Sequence, residues 1–147
     1  MSLRKAFYPE SVAIIGASAD EQAERDDGWL GRLKESGYQG RLYPINPRAS
    51  QILGLRAYAS IAEVPEPVDY AIITVRTSLV PGLLRECVAK GVAHVHIYSG
   101  GFAESGKEEA TRLQQELADA IKGSNTRLIG PNCLGIYCPA SGLSFSY

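Results

Sequence analysis

The sequence predicts an α/β fold in which one doubly wound, mostly parallel sheet forms a single domain over residues 1–147. Short apolar runs alternate along the chain with segments whose apolar residues repeat at intervals of three and four. No linker, repeat or low-complexity segment divides this pattern. Alternation with short connections is typical of parallel strands joined by right-handed crossover helices.

The first half of the chain is predicted to run straight into a strand, followed by a helix and a second strand. Residues 11–15 (SVAII) are a β-branched run that ends at Gly16, as in a buried parallel strand that meets a tight turn. Apolar spacing and a closing glycine predict the helix from about Gly28 to Ser36. The second strand, residues 41–45, ends before a proline, because proline cannot donate to a central ladder.

The second half repeats the strand and helix pattern after a short irregular stretch. Residues 54–58 are predicted to form a minor strand and residues 60–63 one helical turn. The remaining predicted elements are a strand over 70–75, a helix from Leu79 through Val88 that closes at Gly91, a strand over 92–98, a helix that ends at Gly123 and a strand over 127–129.

Composition and charge exclude several classes of protein. The chain is 45% hydrophobic and 21% charged, which excludes disorder and collagen. A net charge of -1 gives no electrostatic basis for non-specific nucleic-acid binding. No secretory apolar core or membrane-length apolar stretch is present, so a cytoplasmic protein without a membrane partner is expected. The three cysteines form no CxxC pair, so they indicate reduced thiols and neither a disulfide framework nor a zinc site.

The residues that directly follow the predicted strands are the candidate site, because ligands bind doubly wound sheets beyond the carboxyl ends of the strands. Gly16, Ala17 and Ser18 form a small-residue turn after the first strand, where backbone N–H groups can approach a phosphate. The GxGxxG dinucleotide fingerprint is missing, and a plain tight turn is the alternative.

Asn46, Pro47 and Arg48 follow the second strand. NAD-binding folds commonly place an acid near this point for the ribose hydroxyls, so Arg48 argues against NAD. A guanidinium pairs bidentately with phosphate, and it suits the 2′-phosphate of NADP or the 3′-phosphate of coenzyme A. A solvated turn arginine is the alternative.

Three further loops complete the predicted crevice. Their candidate residues are Val75, Arg76 and Thr77, then Ser99, Gly100, Gly101 and Phe102, and finally Asn132 and Cys133. The two glycines can present N–H groups as an anion nest, and Phe102 can offer a ring face to a purine or a pantetheine arm. The alternative for that loop is a glycine-rich turn closed by an aromatic plug.

The sequence predicts no catalytic and no metal-binding residue. His94 and His96 face the same side of a predicted strand without a third ligand, so they are interpreted as histidines of the sheet face. Cys133 has no base near it in sequence, which makes a nucleophilic thiol a minority alternative to a small buried residue.

Five segments in order resemble the N-terminal CoA-binding domain of NDP-forming acyl-CoA synthetases, which are similar to the α subunit of succinyl-CoA synthetase. The resemblance covers roughly residues 8–140. The segments are IIGAS, GYQGRLYPINP, ILGLRAYASIAEVPEPVDYAI, SGGFAESG and GPNCLGIY.

The resemblance implies a Rossmann-like domain that holds coenzyme A in the crevice where the strand order reverses. On the nucleotide side, the resemblance implies that Gly16, Ala17 and Ser18 contact the phosphates and that Asn46, Pro47 and Arg48 lie on the nucleotide phosphate side. It implies that Val75, Arg76 and Thr77 lie beside the adenosine. It further implies that Ser99, Gly100, Gly101 and Phe102 lie along the extended arm of the cofactor, and that Asn132 and Cys133 lie in the turn that faces the place of acyl transfer.

The family as a whole joins an acid to CoA at the expense of ATP and releases ADP and phosphate. It uses a phosphohistidine domain and an ATP-grasp module in the same or a partner chain, with a small carboxylic acid and ATP or another nucleotide as substrates. The resemblance therefore implies the N-terminal domain of a longer synthetase, inactive as a ligase alone. A stand-alone CoA-binding module, an NAD(P)-dependent oxidoreductase or regulatory domain, and an interaction module without cofactor remain alternatives.

One segment opposes phosphate binding by its charge. Residues 20–27 contain five acids and one arginine, a local charge of -4. We expect this loop to turn outward to solvent, because so acidic a stretch gains little from packing.

Overall fold

The computed structural model describes residues 3–18 and 28–144, which form an α/β domain. The strands of its main sheet are β1 (Ser11–Ile15), β2 (Arg41–Ile45), β5 (Tyr70–Ile73), β6 (His94–Ile97) and β7 (Arg127–Ile129). The helices are α1 (Arg4–Phe7), α2 (Trp29–Glu35), α3 (Val80–Lys90) and α4 (Glu108–Ile121). A separate hairpin pairs β3 (Gln51–Ile52) with β4 (Leu55–Arg56). The predicted α/β fold, with a parallel sheet flanked by helices, is confirmed.

The strand order of the main sheet is β2-β1-β5-β6-β7, and every neighbouring pair is parallel. The first strand, β1, lies second in the sheet and pairs with β2 at the edge. The chain then crosses over β1, so that β5 pairs with the other side of β1. Ile15 at the end of β1 is therefore in register with both Ile45 and Ile73. The order reverses at this point, which places the loop after β1 at the switch point of the fold.

The sheet is covered on both faces, which explains why its strands are apolar without alternation. One face packs against α3 and α4 through residues such as Ile73 and Leu84. The other packs against α2 and the hairpin, with Ile72 and Leu33 fully buried there. All residues of β1, β5 and β6 are buried, so these strands form a rigid base for the loops at their carboxyl ends.

The N-terminal segment differs from the sequence prediction, because the four-residue helix α1 precedes β1. Asp69 holds the segment in place. Its carboxylate accepts hydrogen bonds from Lys5 Nζ at 2.6 Å and from the backbone N–H of Glu10 at 2.9 Å. A helix this short has no apolar periodicity to detect, since a contact distant in sequence fixes it.

Three predicted strands also have different limits. The predicted minor strand over 54–58 is wrong as drawn, since the chain forms the β3–β4 hairpin and then a single parallel bridge between Tyr58 and Ile45. The strands predicted over 70–75 and 92–98 are shorter, which leaves Val75 and Tyr98 in the loops. Among the described residues, no helix is both long and apolar enough to cross a membrane.

Candidate functional site

The loops after β1, β2 and β5 line a single cleft at the switch point. This main cleft has a volume of about 610 Å³. It brings together Gly16, Ala17, Ser18, Asn46, Pro47, Arg48 and Val75, and its apolar wall is extended by Leu79 and Leu83. Seven residues predicted from three separate loops thus lie around one space.

Gly16 is required where the first loop passes β5. Its φ of +93° lies in the left-handed region, and its N–H donates to the carbonyl of Ile45 at 3.1 Å. A Cβ at this position would lie 2.7 Å from Val75 Cγ1 and 3.0 Å from the carbonyl oxygen of Thr74. Only glycine lets the chain turn this close to its neighbour, which keeps the backbone of Ala17 and Ser18 at the floor of the main cleft.

Asn46 connects the first two loops. Its Nδ2 donates to the carbonyl of Ala17 at 2.8 Å, and its Oδ1 accepts from the N–H of Arg48 at 2.8 Å. The asparagine thus sets the Arg48 backbone relative to the glycine turn. The Arg48 side chain is exposed at the edge of the main cleft, as a group that receives an anionic ligand from solvent would be.

The loops after β5, β6 and β7 form a second hydrogen-bonded unit. The hydroxyl of Thr77 donates to the carbonyl of Gly100 at 2.7 Å, and that of Ser99 donates to the carbonyl of Val75 at 2.5 Å. The N–H of Asn132 donates to the carbonyl of Ser99 at 3.0 Å. Side chains predicted as ligand contacts therefore also join three loops into one surface.

The predicted anion nest after β6 is filled by a carboxylate of the same chain. Glu104 Oε1 accepts from the N–H of Gly101 at 2.6 Å. Desolvation raises the pKa of Glu104, but hydrogen bonds from the N–H groups of Gly101, Phe102 and Glu104 itself outweigh it and bring the pKa below its ordinary value. A phosphate is disfavoured beside this carboxylate, whereas an uncharged ligand segment is not.

Phe102 corrects one predicted contact. Its side chain is 0% exposed and belongs to the core between the sheet, α3 and α4. The prediction that its ring offers a face to a purine or a pantetheine arm is wrong, and the aromatic plug is the arrangement found. Arg76, predicted beside the adenosine, is exposed and directly precedes the 3-10 turn Thr77–Leu79.

Cys133 lies beside a buried histidine. His96 Nε2 is 2.7 Å from the carbonyl oxygen of Cys133, a distance that fits an N–H donating to the carbonyl. Asn132, immediately before it, has a φ of +52°, and a Cβ on Gly100 would lie 3.1 Å from its Oδ1. The turn that contains Asn132 and Cys133 thus meets the loop after β6 at close range.

Sequence reasoning missed a second, smaller cavity. This tryptophan cavity has a volume of about 230 Å³ and borders Gly16, Ala17 and Ser18, as the main cleft does. Trp29 and Tyr98 line it, and their rings pack edge to face with centroids 4.9 Å apart. The available signals were the single tryptophan at the predicted helix start and a tyrosine at the end of a predicted strand.

Two further expectations from the sequence concern metal binding and the acidic loop. Within residues 3–18 and 28–144, no group of three or more His, Cys, Asp or Glu side chains is arranged to hold a metal ion. The outward turn expected for the acidic loop over residues 20–27 falls outside the described residues.

The two histidines of β6 predict a pH dependence of stability. Burial lowers the pKa of His94 and His96 below 6.5, helped at His94 by the charge of Arg127 and opposed at His96 by the hydrogen bond to Cys133. The unfolded chain therefore takes up protons first as the pH falls. Stability present above about pH 6.5 should be lost below it, at up to about 1.4 kcal/mol per pH unit for each histidine.

Urea unfolding between about pH 8 and pH 5 measures this effect. The double variant His94→Gln/His96→Gln, which retains a donor near Cys133, should show a shallower loss of unfolding free energy over the same range. Equal slopes for the variant and the parent chain would contradict the assignment to these histidines.

A doubly wound parallel sheet with a cleft at its switch point is the architecture of a Rossmann-like domain. The family model described as "CoA binding domain" matches residues 10–139 of this chain. The chain therefore belongs to the CoA-binding domain family.

Curated relatives give the same family. The chain is 38% identical over 145 residues to the Acetate--CoA ligase [ADP-forming] II of Archaeoglobus fulgidus, and the match covers 99% of this chain and 21% of the relative. It is 40% identical over 145 residues to the Acetate--CoA ligase [ADP-forming] I subunit alpha of Pyrococcus furiosus, covering 95% and 31%. The chain thus spans between about a fifth and a third of the length of these relatives.

A solved structure extends the likeness to three dimensions. The dinucleotide forming Acetyl-coenzyme A synthetase 1 of Ca. Korarchaeum cryptofilum, in complex with phosphate and ADP, superposes with a TM-score of 0.84 at 34% identity, over 99% of this chain and 31% of that one. The resemblance seen in the sequence is confirmed: the chain is a CoA-binding domain that matches the N-terminal region of ADP-forming acetyl-CoA synthetases.

Proposed function

We propose that this chain binds coenzyme A along the carboxyl edge of its sheet and serves as the N-terminal domain of a longer ADP-forming acid–CoA ligase. In that enzyme a small carboxylic acid, CoA and ATP or another nucleotide give acyl-CoA, the nucleoside diphosphate and phosphate. One observation carries the proposal: a single cleft unites the Gly16 turn with Arg48 in a chain of the CoA-binding domain family.

The main cleft suits the nucleotide half of CoA. Its floor is the backbone of Gly16, Ala17 and Ser18, which phosphates can approach closely because Gly16 has no side chain and the other two side chains are small. Arg48 provides a guanidinium for the 3′-phosphate, which CoA carries and NAD lacks. Leu79, 48% exposed, and Leu83 provide apolar surface for the adenine. Phosphate, ribose phosphate and base thus each have a chemically matched surface.

The second unit of loops suits the pantetheine arm. That arm carries amides and no charge, and the loops after β5 and β6 present mainly backbone and small side chains. The Glu104 carboxylate disfavours an anion there without affecting a neutral chain. We therefore propose that the arm crosses Val75 and Gly100 toward Asn132 and Cys133.

The remaining steps of the ligase belong to other parts of the enzyme. We propose that phosphohistidine and ATP-grasp domains lie in the same or a partner chain. The relative named as a subunit alpha supports the second arrangement, and the ADP and phosphate in the Korarchaeum complex support the nucleotide chemistry.

Calorimetric titration of the chain with CoA, NADH and NADPH tests the proposal. CoA should bind most tightly, because Arg48 stands where NAD-binding folds place an acid and the family is one of CoA-binding domains. Tighter binding of NADPH than of CoA would overturn the proposal in favour of an oxidoreductase or regulatory domain.

Arg48 itself provides a sharper version of this experiment. Arg48→Ala should weaken the binding of CoA about tenfold or more, since it removes a charge-assisted pair with the 3′-phosphate. The affinity for dephospho-CoA, which lacks that phosphate, should remain nearly unchanged. The matched control is Arg41→Ala, because Arg41 lies at the opposite, amino end of β2. Equal losses for CoA and dephospho-CoA would assign Arg48 no role in phosphate recognition.

A further inference from the structure

The main cleft offers little positive charge to the phosphates of CoA. Arg48 is the one charged side chain among the described residues that line it. We have proposed that Arg48 binds the 3′-phosphate, which leaves the pyrophosphate to the glycine turn. The N–H of Gly16 already donates to the carbonyl of Ile45 at 3.1 Å, so it is not available to a phosphate. A pyrophosphate over this turn would therefore be stabilised by a second cation close by.

The topology of the sheet places Arg76 beside the glycine turn. The strand order β2-β1-β5 sets the loop of Arg48 on one side of the Gly16 turn and the loop of Arg76 on the other. The approach is close, because a Cβ on Gly16 would lie 2.7 Å from Cγ1 of Val75, the residue before Arg76. Val75 and Leu79 both line the main cleft. Arg76 thus lies between two lining residues, across the turn from Arg48.

The backbone on both sides of Arg76 is fixed, whereas its side chain is not engaged. The carbonyl of Val75 accepts from the hydroxyl of Ser99 at 2.5 Å. The hydroxyl of Thr77 donates to the carbonyl of Gly100 at 2.7 Å. The Arg76 side chain is exposed, and none of the described residues forms an ion pair with it. The first turn of α3, which follows, contains no acid. This guanidinium is therefore available to a ligand.

We infer that Arg76 binds the pyrophosphate of CoA, so that Arg48 and Arg76 hold the phosphates from opposite sides of the Gly16 turn. The inference rests on the proposed function and adds a specificity-determining residue to it. A guanidinium donates a fork of N–H groups that matches the spacing of phosphate oxygens. Dephospho-CoA keeps the pyrophosphate and lacks the 3′-phosphate. The two arginines therefore act on different groups of the ligand and can be distinguished by experiment.

Calorimetric titration of the 147-residue chain tests this inference. Arg76→Ala should weaken CoA and dephospho-CoA by the same factor, about tenfold, because both ligands carry the pyrophosphate. Arg76→Lys, which keeps the charge, should retain most of the affinity. Added salt should weaken CoA binding to the parent chain more than to Arg76→Ala, because salt screens an ion pair. Urea unfolding should show unchanged stability, since Arg76 has no described ion pair to lose.

Arg85→Ala is the matched control for the loss of charge. Arg85 lies on α3, where its Nη1 is 3.7 Å from Glu116 Oε2, and it is not among the described residues that line the main cleft. The control removes the same charge from the domain and should change CoA affinity by less than about twofold. Equal losses for Arg76→Ala and Arg85→Ala would show a general effect of charge and overturn the contact with the pyrophosphate.

Each other outcome also decides the matter. A loss for CoA without a loss for dephospho-CoA would place Arg76 on the 3′-phosphate and overturn the inference. An Arg76→Lys variant as weak as Arg76→Ala, with unchanged salt dependence, would indicate stacking on the adenine instead. If CoA binds the parent chain and Arg76→Ala equally well, the inference is wrong and the proposed function stands. If neither CoA nor dephospho-CoA binds the parent chain, the proposed function is wrong and the inference falls with it.

Discussion

Replacing Gly16 with alanine is expected to lower the free energy of unfolding by about 3 kcal/mol or more and to abolish CoA binding. The φ of +93° strains any residue with a Cβ, and that Cβ would overlap Val75 Cγ1 at 2.7 Å. Relief requires β5 and the glycine turn to separate. The same movement would deform the floor of the main cleft.

Gly37→Ala is the matched control for this change. Gly37 also has a positive φ, +80°, but nothing lies within 4 Å of its Cβ position. This substitution should lower the free energy of unfolding by only about 1–2 kcal/mol, because it strains the backbone without a steric overlap, and it should leave CoA binding intact. Urea unfolding and calorimetric titration of both variants measure the difference. Equal losses for the two alanines would show that the contact with Val75 is unimportant.

The 147-residue chain alone is expected to form no acyl-CoA from acid, CoA and ATP. The proposed ligase transfers phosphate through an accessible histidine. The only two histidines of this chain, His94 and His96, are 2% and 0% exposed within β6. Neither imidazole can reach a phosphoryl donor in the folded domain.

An assay with acetate, propionate and phenylacetate measures this absence of turnover. CoA binding measured on the same preparation is the control that the domain is folded and competent. The expectation would be refuted by activity that survives repurification and disappears with Gly16→Ala or Arg48→Ala, since such activity would belong to this chain.

The sequence alone determined the fold class and the edge of the sheet that carries the site. Continuous apolar runs such as residues 11–15 require cover on both faces, and crossover connections then make the strands parallel. Parallel strands place their carboxyl ends at one edge. Gly16, Arg48 and Val75 were therefore predicted to lie together, although they come from three separate segments, and they do line one cleft.

The tertiary structure alone decided which side chains face the ligand space. The sequence around Phe102 does not indicate whether its ring faces solvent or the core. Only the packing of the loop on α3 and α4 buries the ring. From the sequence alone, Glu104 would likewise be taken for an ordinary exposed acid. It is the fold of its loop that directs its carboxylate to the Gly101 N–H. Trp29 and Tyr98 are 69 positions apart, so their shared cavity exists only once α2 packs on the sheet.

Local patterns specify the path of the backbone, because φ preferences and apolar periodicity act over a few residues. The direction of a loop side chain depends on contacts between distant segments, which no short-range pattern encodes.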